Sequence, residues 1–288
     1  MERRKARYNI INIAVMMVTV FLFIYEFGNF TTLFASGNVL SFLVITVTAI
    51  LVHTIKVVRL YLALYGSDIT FNICLKIYCR VMPVSAVIPF KMGEFFRMYC
   101  YGKQIGDVLK GAIIVLFDRF MDTVALVTVI IFMWLLYRGD MTSLVYILMF
   151  FLMFVMFVYF IFPGLFMFWK QYLLKAKASK NRLSALRILE ALNCIHKEIV
   201  WVAKGRGLLL YFISLVAWSV EISSLAIVNR ITGNREPGQM VFKYLSSAMT
   251  GNQLLELRQF IIVSVTVLIT ASVIMKVREI LIRKKVGR

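Results

Sequence analysis

The sequence predicts an all-α membrane protein, a polytopic helix bundle with about six long spans, a proline-broken re-entrant helical pair and a cytoplasmic amphipathic helix. Three observations carry this prediction. Of the 288 residues, 61% are apolar and only 16% are charged, against about 45–50% and about 25% in soluble domains. The mean hydropathy is +0.85, and the apolar residues gather in long runs. The excess apolar surface must therefore face lipid, and the length fits one integral membrane domain over residues 1–288.

The spans are predicted from six apolar runs. At 1.5 Å per residue, about 20 helical residues cross the hydrocarbon core of a bilayer. The runs that cross or nearly cross it occupy residues 10–27, 39–57, 112–137, 143–169, 207–229 and 259–276. The first run is slightly longer than the apolar region of a cleaved signal peptide, which has about 7–15 residues. It is therefore interpreted as a retained first span.

The distribution of Lys and Arg predicts the orientation of these spans. Residues 26–38 carry no Lys or Arg, whereas residues 170–206 carry nine. Residues 1–9 carry four basic side chains and residues 276–288 carry six. Further basic residues lie at the end of the second run and after it: Lys56, Arg59, Lys76 and Arg80. Because cytoplasmic loops are enriched in Lys and Arg, both termini are predicted to lie in the cytoplasm. The net charge of +19 then reflects contact with anionic headgroups and not with nucleic acid.

Residues 60–111 do not fit a simple drawing of six spans, because they are only moderately apolar. They contain the predicted structural break, at Pro83, Pro89 and Gly93. Proline removes a backbone donor and interrupts a helix, and broken helices at membrane depth are tolerated only inside protein or along a cavity. We interpret residues 70–103 as two half-helices that enter and leave from one side. The alternative is an amphipathic pair that lies on the membrane surface.

A second irregular segment, at about 175–205, has the pattern of an amphipathic helix. Within 182–204 the apolar residues recur every three or four positions, at Ala185, Ile188, Leu192, Ile195, Ile199 and Val202. Polar and charged residues fill the opposite side. The segment is predicted to lie along the cytoplasmic headgroups or to pack under the bundle.

The first candidate polar site follows the predicted break. Glu94 and Arg97 are three residues apart, so on a helix they share a face and can pair. Gly93 stands where a half-helix can begin, and the free amides of a helix N-terminus suit a phosphate. Lys91 and Arg97 would add positive charge. The alternative interpretation is an ordinary interfacial turn with a solvated lysine.

The second candidate is a group of three ionisable residues in the third apolar run. Asp118 and Asp122 are one helical turn apart, and Arg119 lies between them in sequence. Inside a bilayer each would need a partner or a wet cavity, so the sequence favours a buried network over a cytoplasmic helix end. Glu221, in the middle of the fifth run, needs a partner or protonation there, and Arg97 and Arg119 are the candidate partners.

Enzymatic chemistry has little support in the sequence. It contains none of the hydrolase, kinase or phosphate-loop motifs, so no catalytic residue and no cofactor are predicted. The four cysteines form no CxxC pair and there are only two histidines, which argues against a metal site and favours free thiols.

Three short motifs resemble one known family. They are Pro89…Gly93-Glu94…Arg97…Tyr99, then Asp107…Lys110-Gly111-Ala112, then Asp118-Arg119…Asp122. The pattern is similar to the transmembrane region of lysylphosphatidylglycerol synthase, a family also called flippase-like, and the Trp218…Glu221 pair resembles the start of its second half. The resemblance covers about residues 10–230 and is specific over 83–122. The family's second re-entrant motif would fall at 236–256, where only fragments of it remain.

The resemblance implies a multi-pass protein of the bacterial cytoplasmic (inner) membrane that translocates or otherwise handles lipids for cell-envelope or surface-polysaccharide biosynthesis. Its partners would be anionic or polyprenyl-phosphate-linked lipids and envelope-biosynthesis enzymes, with no nucleic acid and an undefined oligomeric state. The polar path would comprise Lys91, Glu94, Arg97, Asp118, Arg119, Asp122 and Glu221, with the phosphate near Lys91 and Arg97. Two alternatives remain: a non-transporting accessory subunit of a glycosyltransferase or polysaccharide assembly complex, and an integral membrane transferase.

Overall fold

A computed structural model describes residues 2–27, 39–88, 92–137, 143–175, 180–233, 241, 243–245, 247 and 255–286. Within them lie α1 (Glu2–Phe27), α2 (Val39–Ala63), α3 (Phe71–Val87), α4 (Met92–Ile105), α5 (Val108–Tyr137), α6 (Ser143–Lys175), α7 (Lys180–Ala203), α8 (Gly207–Ile231) and α9 (Leu255–Val286). The described residues contain no β-strand. The predicted all-α class is confirmed.

Four of these helices contain segments that are long and apolar enough to cross a membrane. The segments are Val39–Ala63 in α2, Val145–Lys175 in α6, Gly207–Ile231 in α8 and Leu257–Glu279 in α9. A shorter apolar segment, Asn12–Tyr25, lies in α1. The remaining predicted run, 112–137, forms most of the 30-residue helix α5. The chain is thus a polytopic helical membrane protein.

The centre of the bundle is formed by α2, α5 and α8, which pack against one another. Lys56 of α2 lies beside Glu221 of α8, and Arg59, one turn further along α2, reaches Ser214, which is two turns earlier in α8. The pairs run in opposite order along the two helices, so α2 and α8 are antiparallel. This arrangement brings polar side chains from the middle of both helices into the interior.

The region of the predicted break forms two short helices, α3 and α4, which pack against each other. Pro83 was predicted to break the helix, but this was wrong: it lies buried inside α3. Helix α3 ends at Val87 and α4 begins at Met92, and Pro89 lies outside the described residues. Gly93, in the first turn of α4, approaches α3 so closely that a Cβ would stand 2.4 Å from the Cα of Ser85. This contact requires glycine because the obstructing atoms are backbone.

A second close approach joins α4 to α5. A Cβ on Gly111 would stand 2.3 Å from the Cα of Gly102, and a Cβ on Gly102 would stand 2.6 Å from the Cα of Val108. Small residues let helix backbones come together in membranes, where apolar area alone does not drive association. These glycines hold α4 against the first turn of α5, two turns before Asp118.

The other helices surround this centre unequally. Helix α9 packs on α3 and α2, and α1 packs on α3. Helix α6 packs against α7 and only slightly against α5. The predicted amphipathic segment forms α7, whose last turn is anchored by Val202, which is fully buried in the main core cluster. Between α6 and α7 lies an apolar groove of about 400 Å³.

Candidate functional site

A network of buried charged side chains occupies the interior of the bundle, and Asp118 of α5 is its centre. One carboxylate oxygen accepts a hydrogen bond from Nε of Arg59 at 2.7 Å. The other accepts one from a terminal nitrogen of Arg97, also at 2.7 Å. Asp118 is fully buried, and both arginines are only 2% exposed. A single carboxylate therefore joins α2, α4 and α5 inside an apolar bundle.

Arg59 makes two further contacts across the centre. It donates hydrogen bonds to the carboxylate of Asp122 and to the hydroxyl of Ser214, the latter at 2.8 Å. Asp118 and Asp122 are one helical turn apart, so they present their carboxylates on the same face of α5. This spacing is what lets one guanidinium, with its several N–H donors, engage both.

Glu94 closes the other side of the network by bridging two guanidinium groups. One of its oxygens accepts a hydrogen bond from Arg119, and the other accepts one from Arg97 at 3.5 Å. A carboxylate oxygen of Asp122 lies 3.9 Å from a terminal guanidinium nitrogen of Arg119. The side chains of Glu94 and Arg119 are 17% and 34% exposed, so this is the side at which the network meets its surroundings.

The six side chains are balanced in charge. Three arginines, Arg59, Arg97 and Arg119, face three carboxylates, Glu94, Asp118 and Asp122. Balance matters because a lone charge in the hydrocarbon region costs at least a few kcal/mol. Removing one member of a buried ion pair leaves its partner uncompensated, at a cost of about 3–5 kcal/mol.

Two N–H groups of the network have no acceptor among the residues that the structure describes. They are Nε of Arg97 and Nε of Arg119, which are both buried. Buried donors are normally paired, and leaving one unpaired is unfavourable. Both belong to the two guanidinium groups that Glu94 bridges, so the donors exceed what one carboxylate can satisfy.

A second, smaller polar cluster surrounds Glu221 in α8. The hydroxyl of Tyr244 donates a hydrogen bond of 2.7 Å to one carboxylate oxygen. The ammonium of Lys56 lies 4.0 Å from the other oxygen and 5.7 Å from the centre of the Trp218 ring. The sequence-based candidates for the partner of Glu221, Arg97 and Arg119, were wrong, because their contacts are with Glu94, Asp118 and Asp122.

The structure thus brings five of the predicted residues into one network: Glu94, Arg97, Asp118, Arg119 and Asp122. Glu221 belongs to the neighbouring cluster, and Lys91 lies outside the described residues. Their role as a polar path stays a prediction. One detail of it changes: Arg97 is buried, and Arg119 is the most accessible of the three arginines of the network.

Sequence reasoning missed four participants: Arg59, Ser214, Lys56 and Tyr244. Arg59 and Lys56 were grouped with the cytoplasmic basic residues that follow the second apolar run. Both lie within α2, which continues to Ala63 and turns Arg59 into the bundle, so they do not belong to a loop. A signal did exist. The predicted path held four carboxylates but only three cations, so charge balance required one further cation from elsewhere.

The described residues offer few donors for other chemistry. No group of three or more His, Cys, Asp or Glu among them could hold a metal ion. Cys74, Cys79 and Cys100 are buried free thiols, and Cys194 is an exposed one.

These features define a class: a polytopic helical membrane protein whose interior holds a charge-balanced network of arginines and carboxylates. The family model of the lysylphosphatidylglycerol synthase TM region matches residues 9–255. The chain belongs to this membrane protein family, as its motifs predicted. No curated protein matches the chain, and no solved structure matches it.

Proposed function

We propose that the protein is a flippase-like protein of the bacterial inner membrane, which translocates or otherwise handles an anionic lipid or polyprenyl-linked glycan in envelope biosynthesis. Both termini would lie in the cytoplasm. The observation that carries the proposal is the network of three arginines and three carboxylates inside the bundle. Ionisable groups within membrane segments are rare and typically mark a pathway for a polar substrate.

The geometry supports a lipid as the substrate. Arg119 and Glu94 lie on the accessible side of the network. Exposed apolar side chains are close to them in sequence: Met92 and Phe95 next to Glu94, and Leu116 one turn before Arg119. A phosphate-bearing lipid suits a guanidinium next to apolar side chains, because its phosphate binds the guanidinium while its acyl chains contact the apolar groups.

The test is lipid translocation in proteoliposomes that contain the purified full-length chain. Three fluorescent substrates would be compared: an anionic phospholipid, phosphatidylcholine and a polyprenyl phosphate. We expect transport of at least one phosphate-bearing anionic lipid, with the rate reduced about tenfold or more by Arg119→Gln, which removes the accessible cation.

The matched control is Arg187→Gln, which removes an arginine from an exposed position of α7 and should leave the rate unchanged. Equal rates for wild type and Arg119→Gln would refute the role of the network in transport. Absence of transport of all three lipids by wild type would refute the function itself.

A second candidate, an accessory subunit, is favoured by the surface of α7. Leu183, Ile188 and Leu192 are exposed large apolar side chains on this helix, and a partner enzyme could cover them. Deleting 182–204 would not test this cleanly, because the deletion also removes Val202 from the core. Changing the three exposed residues to serine is the sharper experiment. Loss of a co-purifying envelope enzyme with unchanged lipid transport would support this role.

A further inference from the structure

We propose that Glu94 acts as an internal stand-in for the substrate, occupying an anion site between Arg97 and Arg119 that a lipid phosphate must take over. This inference rests on the proposed function and deepens it. In the resting protein Glu94 would occupy the site between the two arginines, and a phosphate headgroup would displace it.

Glu94 is placed as a bridging anion. Its two oxygens serve two different guanidinium groups, those of Arg97 and Arg119. A phosphate presents its oxygens to paired guanidiniums in the same way. Glu94 also lies in the first turn of α4, where the free amides and the helix dipole favour any negative group.

Glu94 also completes the charge balance of the network. With Glu94 in place the six side chains are neutral as a group, so the network has no spare positive charge. Adding a phosphate without removing Glu94 would leave uncompensated negative charge in a low-dielectric interior. A phosphate and Glu94 must therefore compete for the same two arginines.

Two N–H donors of the network have no acceptor among the described residues. The Nε–H of Arg97, which is 2% exposed, is one of them, and the buried Nε–H of Arg119 is the other. Both donors belong to the guanidiniums that Glu94 bridges. A phosphate monoester has three terminal oxygens where a carboxylate has two, so it can engage donors that Glu94 leaves unpaired.

Exposed apolar residues next to Glu94 favour a lipid as the source of the phosphate. Glu94 is flanked in sequence by Met92 and Phe95, which are 57% and 62% exposed. Displaced from the arginines, the Glu94 side chain can turn toward this accessible face. The exposed apolar side chains beside the site suit the chains of a lipid and give no advantage to free phosphate.

The experiment measures binding of a fluorescent phosphatidic acid to the full-length protein in detergent, for wild type and Glu94→Gln. Glutamine keeps the shape of the side chain and loses the charge that competes. We expect Glu94→Gln to bind phosphatidic acid about tenfold more tightly, with no gain for phosphatidylcholine. Equal or weaker binding by a monodisperse Glu94→Gln protein would overturn the proposal.

Two controls keep the result interpretable. Glu198→Gln removes a half-buried carboxylate that pairs with Lys110 at 3.9 Å and should not change the affinity. If Glu94→Gln does not fold, Arg119→Gln replaces it, with an expected loss of about tenfold or more. An unchanged affinity of Arg119→Gln would overturn the proposal equally.

Inorganic phosphate distinguishes the two sources of the anion. Millimolar phosphate should not displace phosphatidic acid from wild type, and displacement would overturn the assignment to a lipid. The translocation assay separates this inference from the proposed function. If wild type transports lipid but Glu94→Gln binds no tighter, the stand-in role of Glu94 fails alone. If wild type neither binds nor transports any anionic lipid, the proposed function fails as well.

Discussion

Helices α5 and α6 follow each other in the chain and are both long and apolar, but α5 is packed inside the bundle and α6 is largely exposed. Helix α5 carries Asp118, Arg119 and Asp122 and lies at the centre of the bundle. Helix α6 has no charged residue before Lys170 and stands at the edge. In an 18-residue apolar stretch of α6 only 11% of the residues are buried. In a stretch of the same length in α8, a central helix, 39% are buried.

The difference shows what makes a helix pack inside a membrane. Lipid tails are as apolar as leucine, so an apolar helix gains little by contacting other helices. A helix with internal charges has no such freedom, because its charged groups require partners from other helices. The charges of α5 place it in the centre, and their absence lets α6 remain exposed to lipid. Three predictions test this comparison, in order of decreasing effect.

The largest effect is expected from Asp118→Asn, which leaves the guanidiniums of Arg59 and Arg97 without their shared carboxylate. We expect a loss of about 3–5 kcal/mol of stability, measured as thermal unfolding of the detergent-solubilised protein. Asp107→Asn is the matched control, because Asp107 is exposed and accepts backbone hydrogen bonds at the start of α5, which asparagine can also accept. A melting temperature of Asp118→Asn equal to that of the control would show that the charges do not hold α5 in place.

An intermediate effect is expected from adding one methyl group to each region. In Gly111→Ala the new Cβ meets the backbone of Gly102 at 2.3 Å, so α4 and α5 must separate, at a cost of about 1–3 kcal/mol or more. Gly164→Ala in α6 has nothing within 4 Å of its new Cβ and should be neutral or slightly stabilising. Thermal unfolding of both variants checks the contrast, and equal melting temperatures would contradict it.

The smallest effect is expected from Glu190→Gln, which breaks the exposed ion pair between α7 and Lys170 of α6. The hydrogen bond from Lys170, at 2.9 Å, and its charge lower the pKa of Glu190. A lowered pKa means that any stabilisation is complete at neutral pH and is lost as the pH falls through that pKa. At pH 7 we still expect a change in melting temperature of only about 1 °C, because exposed pairs contribute little. A decrease comparable to that of Asp118→Asn would show that α7 is held by charge.

Much of this architecture could be predicted from local sequence. The apolar runs gave the all-α membrane class, and the three- and four-residue spacing of apolar positions gave the amphipathic helix α7. The charged residues near the predicted break, from Glu94 to Asp122, were identified because ionisable groups in an apolar chain are conspicuous. These features depend only on neighbours in the chain.

The errors arose where the answer depended on distant helices. Pro83 was assigned to the break, yet it lies within α3, because a buried setting can tolerate a proline that a lone helix would not. Arg59 was treated as a basic residue that follows a span, by the rule that cytoplasmic ends are basic, yet it lies inside α2 and is 2% exposed. The rule describes averages, and it cannot distinguish a basic residue in a loop from one turned toward a buried aspartate.

The sequence by itself determined that this chain is a helical membrane protein, which of its segments are apolar, and which charged residues lie among them. These are properties of composition and periodicity, because each segment that crosses the lipid must be apolar and helical whatever the other segments do. Only the tertiary structure decided which charges meet: that Asp118 joins Arg59 to Arg97, that Glu94 spans Arg97 and Arg119, and that Lys56 serves Glu221. The physical reason is that a buried charge must be compensated, while the partner that compensates it can come from any helix the fold brings near.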